Sequence, residues 1–336
     1  MNNRERVIAA LQHKETDIIP YDITFTKPAF DKMAAFYNDE NFAKAIGNHV
    51  IGVYYPGGDM PVPGKDGFFR DGFGVVWNRT VDKDIGVIEN FQIPEPDLSG
   101  YTFPQVPEAW LRKECEEMLA APGGHFRCGF LGFSLFERAW TLTGMENLLM
   151  YMLTAPDFVA GLFNKITEFN LKIVDIFLEY DFDCIYFGDD WGQQYGLIMG
   201  PELWRKFIKP CLAQMYGAVK ATGRFVAQHS CGDIHEIFPD LVDIGLDVYQ
   251  TFQPEVYDIQ AIKDQYSGRL AFWGGISTQK LLPFESPEVV TSKSIEIMKI
   301  LGKGGGYIAG PTHAIPGDVP AENIDALIRL LQNQNY

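Results

Sequence analysis

The sequence predicts an α/β protein: a closed (β/α)8 barrel of the TIM type with an insertion after its second strand. Three observations carry this prediction. Eight short runs rich in apolar and β-forming residues recur along the chain, and most are separated by stretches with helical spacing. Short, nearly continuous apolar strands joined by helical crossovers imply a parallel sheet covered by helices, and eight of them favour closure. No GxGxxG turn follows the first run, which removes the main signature of a dinucleotide-binding sheet. An open doubly wound sheet is the structural alternative.

The elements follow in order. A short helix over 3–13 has apolar residues at 7, 8 and 11, and leads into an extended piece at 21–25 that Pro20 keeps out of a helix. The further strands are predicted at 49–55, 126–133, 183–188, 224–229, 247–252, 270–276 and 306–311. Helices are predicted over 145–154, 157–179, 201–221, 258–266, 286–301 and 320–332. Several open on strong start signals, as in Ser286-Pro287-Glu288 and Gly200-Pro201-Glu202. The stretch 56–110 breaks the rhythm. Rich in Gly, Pro and Asp, with strand-like pieces at 73–77 and 85–91, it reads as a loop insertion carrying a small hairpin. Residues 1–336 therefore read as a single barrel domain. The glycine run 302–306 precedes a strand and not a helix, so it reads as a helix stop and not a phosphate cradle.

Composition narrows the function. The chain carries 28 basic and 44 acidic residues, a net charge of −16. Such a surface repels nucleic acid, anionic lipid and heavily carboxylated substrates unless a local basic pocket intervenes. Five cysteines, at 115, 128, 184, 211 and 231, fit a reducing, cytoplasmic compartment. The opening MNNRERVIAALQHKE has no apolar signal region, and no apolar run approaches membrane length. A cytoplasmic enzyme acting on small molecules is the expectation.

In a barrel the chemistry sits at the C-terminal ends of the strands. Those ends carry Tyr21 and Asp22, Tyr54 and Tyr55, Phe136 and Glu137, Asp189, Asp190 and Trp191, His229 and Cys231, Gln253 and Glu255, and His313. In an extended strand end, His229 and Cys231 point to one side, about 7 Å apart along the backbone, and can converge on one zinc ion. A hydrogen-bonded buried His beside an inert Cys is the alternative. His313 follows the last strand, and three ligands with an open position is the layout of a catalytic zinc site. It could instead serve as an acid/base residue. Glu255 is a candidate fourth ligand or an ordinary loop carboxylate. Asp189 and Asp190 are candidates for acid/base work or for orienting a ligand His, with a turn cap as the alternative for Asp190; Asp22 is similar. Tyr21, Tyr54, Trp191 and Gln253 are expected to shape the pocket, and the many aromatics around the mouth suit a planar substrate.

The runs GFSLFERAWTLTGMENLLMYM, FGDDWGQQYGLIMGPELWRKFIKP, FVAQHSCGDIHEIFPDLVDIGLDVYQTFQPE, FWGGIST and GYIAGPTHAIPGDVPAENIDAL together resemble the uroporphyrinogen decarboxylase superfamily over nearly the whole chain. The resemblance implies a single (β/α)8 barrel, barrels of a kind that often pair as homodimers, and one of two activities. True decarboxylases use no metal and hold their substrate with an arginine-rich N-terminal segment. The matching strand here reads Tyr21-Asp22-Ile23-Thr24-Phe25-Thr26-Lys27, without arginine. The other branch comprises zinc-dependent methyltransferases that work with corrinoid-binding proteins and carry H-x-C after the fifth barrel strand, matched by His229 and Cys231. Where that branch has a further Cys, this chain has His313. Exchanging a thiolate for an imidazole leaves a zinc site about one charge more positive, a better Lewis acid for an ether oxygen. The expectation is a methyltransferase of the O-demethylase kind, moving a methyl group from a small, methoxy-aromatic substrate to a corrinoid on a partner protein. A metal-independent decarboxylase and a non-catalytic binding barrel are the alternatives.

Overall fold

A computed structural model describes residues 1–55, 59–81 and 85–335. Among them, seven parallel strands form one sheet in chain order: β1 (Val50–Tyr55), β2 (Phe126–Leu131), β3 (Cys184–Gly188), β4 (Phe225–His229), β5 (Val248–Thr251), β6 (Ala271–Ile276) and β7 (Tyr307–Pro311). Each lies within the span predicted for it.

The eighth stave is the segment 20–25, and it differs from the prediction in kind. It meets β7 through the parallel bridge Tyr21–Ala309 and the segment after β7 through Phe25–Ile315. Ala309 N–H donates to Pro20 O at 2.7 Å and Asp22 N–H to Ala309 O at 3.0 Å. Toward β1 it adds side chains to a single backbone bond, His49 N–H to Tyr21 O at 3.0 Å. Tyr21 N–H donates to His49 Nδ1 at 2.8 Å, and Asn48 both accepts from Ile23 N–H and donates to Ile23 O. Pro20 has no N–H to offer a ladder, so this stave closes the barrel without being a regular strand.

Inside the staves, Val50, Phe126, Cys128, Cys184, Ala227, Val248, Ala271, Trp273 and Ile308 pack together, and Val7 and Leu11 of the first helix plug the bottom. Burying each plug residue stabilises by roughly 1.5–3 kcal/mol. A larger core fills the space between strands and helices. The predicted helices appear at Met145–Thr154, Pro156–Leu178, Ile259–Tyr266, Pro287–Gly302 and Ala321–Gln332. The stretch predicted as 201–221 is interrupted by a π turn at Trp204–Ile208, just where Pro210 denies the ladder an N–H. Helices at Lys27–Tyr37, Glu108–Leu119 and Phe136–Thr143 were not anticipated.

The insertion is more than a hairpin. Met60–Pro61, Phe68–Arg70, Val76–Asn78 and Val87–Ile88 form a four-stranded antiparallel sheet. It is pinned to the barrel by buried Phe73, Val75 and Trp77 and by the buried Arg138–Asp71 ion pair at 2.6 Å. Positions 56–58 and 82–84 of the predicted 56–110 stretch lie outside the described residues. No helix among the described residues is long and apolar enough to cross a membrane.

Candidate metal centre

The β4 end carries His229, and the chain then turns sharply through Ser230-Cys231-Gly232. That turn is held from several sides. Cys231 N–H donates to Asp190 Oδ1 at 2.8 Å and Gly232 N–H to Gln253 Oε1 at 2.6 Å. Tyr249 OH donates to Ser230 O, and Tyr257 OH to Gly232 O, each at 2.8 Å. Gly232 is left-handed at φ +75°, and a Cβ there would lie 2.4 Å from the Gly192 carbonyl carbon, so only glycine lets the two loops close together.

Among the described residues, His229, Cys231 and His313 form the one group of metal-competent donors, each offering an atom within 4.8 Å of the others. Cys231 Sγ and His229 Nε2 are 3.7 Å apart. Nitrogen and sulfur ligands of a tetrahedral zinc, at about 2.1 and 2.3 Å, stand about 3.6 Å from each other, so this pair fits the ion without rearrangement. The His229 and His313 rings meet edge to face with centroids 5.7 Å apart. Four cysteines are buried and free, and Cys231 alone is partly exposed.

Gln250, a residue the sequence reading passed over, sets the orientation of His229. Its Oε1 takes the Nδ1 side of the ring and also accepts from Tyr186 OH at 2.7 Å, while its Nε2 donates to Thr312 O at 3.4 Å. With Nδ1–H spent on Gln250, Nε2 is the nitrogen turned toward Cys231 and available to a metal once it gives up its proton. The signal was a glutamine in the otherwise apolar VYQTF run, registered beside His229.

Charge in the site follows from burial and close partners. Burial opposes ionisation of Asp190, yet His229 and the Cys231 amide outweigh it and hold its carboxyl down at about 2. Its Oδ1 lies 3.2 Å from His229 Nε2. Burial likewise opposes charge on His229, but Tyr186, Cys231 and Asp190 raise it well above the ordinary imidazole value. Burial raises the Cys231 thiol, and His229 partly offsets this. Glu137 is raised well above the carboxylate range by burial and by Asp190 and Asp189. It stood among the strand-end residues but was assigned no role. With Tyr54, Tyr186, Asp190, His229, Gln250 and His313 it lines a cavity of about 430 Å³.

Several predicted residues lie elsewhere. Trp191 is fully buried against Trp204, with ring centroids 5.5 Å apart, and is not part of that cavity's wall. Tyr21 is core: its OH donates to Ile46 O at 2.9 Å and its ring meets His49. Gln253 is buried and spends its carbonyl on the Cys231 turn. Asp189 is fully buried and receives the N–H groups of Leu135, Phe136 and Glu137 and the Trp191 indole N–H. It anchors a helix start and does not face the cavity. Glu255 does not complete the donor set: its Oε1 accepts from the Ser277 hydroxyl, and its Oε2 is buried without a partner among the described residues. Asp22 is half-buried on the eighth stave, outside that cavity's wall, and burial raises its carboxyl to about 7.

An α/β barrel with acid and imidazole groups converging at the C-terminal ends of its strands has the layout in which barrel enzymes hold their active sites. A family model described as uroporphyrinogen decarboxylase (URO-D) matches residues 129–334, and the chain belongs to that family. Uroporphyrinogen decarboxylases from three strains of Coxiella burnetii are 27% identical over 186 residues, 53% of this chain and 48% of theirs. The match thus spans about half the length of these relatives. A methyltransferase from Methanosarcina mazei shares the fold, with a TM-score of 0.71 over 99% of this chain and 98% of that one, at 16% identity.

Proposed function

We propose that the chain is a zinc-dependent methyltransferase that takes a methyl group from a small methoxy-aromatic substrate and passes it to a corrinoid carried by a partner protein. One observation carries this reading: three metal-competent side chains, two imidazoles and a thiol, meet at one end of a parallel barrel beside a cavity of about 430 Å³. His229, Cys231 and His313 would hold the ion. Since Glu255 is engaged by Ser277, a fourth position would be open to the substrate's ether oxygen. A bound zinc of this kind supplies Lewis-acid polarisation of that oxygen. Asp190 and Gln250 would hold the ligands in place, and Glu137, whose carboxyl burial and Asp190 raise, would give a proton to the departing oxygen.

The curated relatives favour a second reading, decarboxylation. Against it stands the segment Thr24–Lys27, which lines the cavity with Lys27 as its one basic residue. Metal analysis of the purified protein with a transfer assay separates the two. The methyltransferase reading expects about one zinc per chain, lost in His229→Ala and Cys231→Ala, and demethylation of a methoxy-aromatic in the presence of a reduced corrinoid. Release of carbon dioxide from a porphyrinogen by metal-free protein would favour the decarboxylase.

A further inference from the structure

Beside the cavity at the three donors lies a second one, of about 260 Å³, that this chemistry leaves unused. The two share Tyr54, Ile85 and Phe133 in their walls and so adjoin. Arg138 lines the second cavity, 4% exposed and permanently charged.

The surroundings of Arg138 restrict where it can donate. The Phe73 ring centroid lies 4.2 Å from its guanidinium carbon and that of Phe133 5.5 Å, so aromatic rings occupy space that acceptors would otherwise take. Its Nη1 donates to Asp71 Oδ2 at 2.6 Å and reaches Thr141 Oγ1 at 3.5 Å. Its Nε and Nη2 find no acceptor among the described residues, and neither is sealed from accessible space. Asp71, in contrast, is well supplied: it also accepts from Phe73 N–H, Val75 N–H and the Trp77 indole N–H, at 2.9, 3.0 and 3.2 Å. Asp59 and Asp71 each serve one arginine of this wall, and the Nε and Nη2 of Arg138 are left as donors that a further acceptor would fill.

Phe133 supplies a second observation. It holds a left-handed backbone at φ +50°, costly for a bulky side chain and kept only where the surroundings enforce it, commonly at ligand sites. The conformation sets its ring between the two cavities, 5.6 Å from that of Trp77 and near edge to face. At the rim, Arg79 is already paired with Asp59 at 2.6 Å and donates to Ile85 O, which leaves Arg138 as the guanidinium with N–H groups to offer.

We infer that the Arg138 corner binds the carboxylate of an aromatic acid, with the ring against Phe133 and Tyr54 and the opposite ring substituent reaching the His229–Cys231–His313 end. A chain of net charge −16 repels anions at long range, so one carboxylate is accepted where buried guanidinium N–H groups wait for it. What happens at the far end rests on the proposed function; the binding does not.

Calorimetric titration of the purified, metal-free protein with 4-methoxybenzoate and its neutral analogue 4-methoxybenzamide tests the subsite. The benzoate should bind at least about tenfold more tightly, and Arg138→Met should bring the two affinities together. Arg138→Lys, which keeps the charge and loses the planar fork, should fall between. Equal affinities in the unmodified protein, or binding of neither compound, overturn the inference. An undiminished preference in a folded Arg138→Met protein does the same. Should that variant fail to fold, the comparison in the unmodified protein decides alone. Preferred binding of the benzoate without methyl transfer, even with zinc and corrinoid supplied, would defeat the functional reading and leave the subsite standing.

Discussion

Gln250 holds His229 by the nitrogen that faces away from Cys231, and the same carbonyl oxygen accepts the Tyr186 hydroxyl at 2.7 Å. Partners of this kind set the tautomer and the basicity of a ligand imidazole, and losing one commonly weakens metal binding 10–100-fold. Gln250→Ala should therefore lower zinc affinity by about 10–100-fold with little change in thermal stability. Competition against a chromogenic chelator would measure it. An affinity within about twofold of the unmodified protein would show that His229 does not depend on this bond.

Asp189 and Asp190 are neighbours with separate duties. Asp189 takes three backbone N–H groups and an indole N–H. Asparagine at this position would turn an NH₂ group toward those donors. Asp189→Asn should cost on the order of 2–3 kcal/mol of stability, the range of buried hydrogen bonds to a charged group. Turnover per folded molecule should be largely retained. Urea denaturation alongside activity at low temperature reads both, and lost turnover at full stability would return Asp189 to the chemistry.

Why one member of this pair, and not the other, reaches the cavity bears on what the sequence discloses. Strand ends were legible because apolar runs and helix starts mark them, and that alone brought His229, Cys231, His313, Asp190 and Tyr54 to one mouth. Direction at a strand end is harder to read. Trp191 turns onto Trp204 of a later helix, and Tyr21 onto the carbonyl of Ile46, contacts that no local periodicity encodes. Arg138 was hidden for a related reason. Its placement depends on a left-handed Phe133 and on an acid 67 residues earlier, and phenylalanine has no propensity for that conformation. Closure of the barrel was foreseen. That its first stave would be stitched by Asn48 and His49 side chains was not, because such bonds replace a ladder and leave no pattern.

His49 makes that stitching sensitive to pH. It is 2% exposed, and burial, with Arg6 adding to it, pushes its pKa down to about 4, against roughly 6.5 in an unfolded chain. Between these values the unfolded chain binds a proton that the folded one refuses, so stability rises with pH across the window. The penalty is absent above about pH 6.5 and grows to about 2–3 kcal/mol by pH 4. Asp22, raised to about 7, works in the opposite sense, so a variant must isolate the histidine. The stability difference between the unmodified protein and His49→Gln should shift by about 2–3 kcal/mol in favour of the variant from pH 7 to pH 4. Urea titrations at several pH values give the curve. A constant difference would mean that His49 titrates as it does unfolded.

Gly232 offers a way to disturb the donor cluster while leaving the donors in place. Alanine there meets two costs at once: a left-handed backbone at φ +75°, and a Cβ 2.4 Å from the Gly192 carbonyl carbon and 2.6 Å from Gln193 N. The first costs about 1–2 kcal/mol. The second cannot be relieved by a rotamer change, because the opposing atoms are backbone, so one loop must move. The movable one carries Cys231, whose N–H is fixed on Asp190 at 2.8 Å and whose Sγ must stay near the 3.7 Å spacing to His229 Nε2. Gly232→Ala should therefore lower zinc occupancy well below one per chain while the barrel still folds. Gly217 is the matched control: it lies within the Lys209–Lys220 helix, and a Cβ there meets nothing within 4 Å. Gly217→Ala should raise stability by about 0.5–1 kcal/mol through helix propensity and leave metal content unchanged. Zinc-to-protein ratios and melting temperatures of the two variants form the comparison. If Gly232→Ala binds zinc as fully as Gly217→Ala does, the close packing of these loops is not what holds Cys231 toward His229.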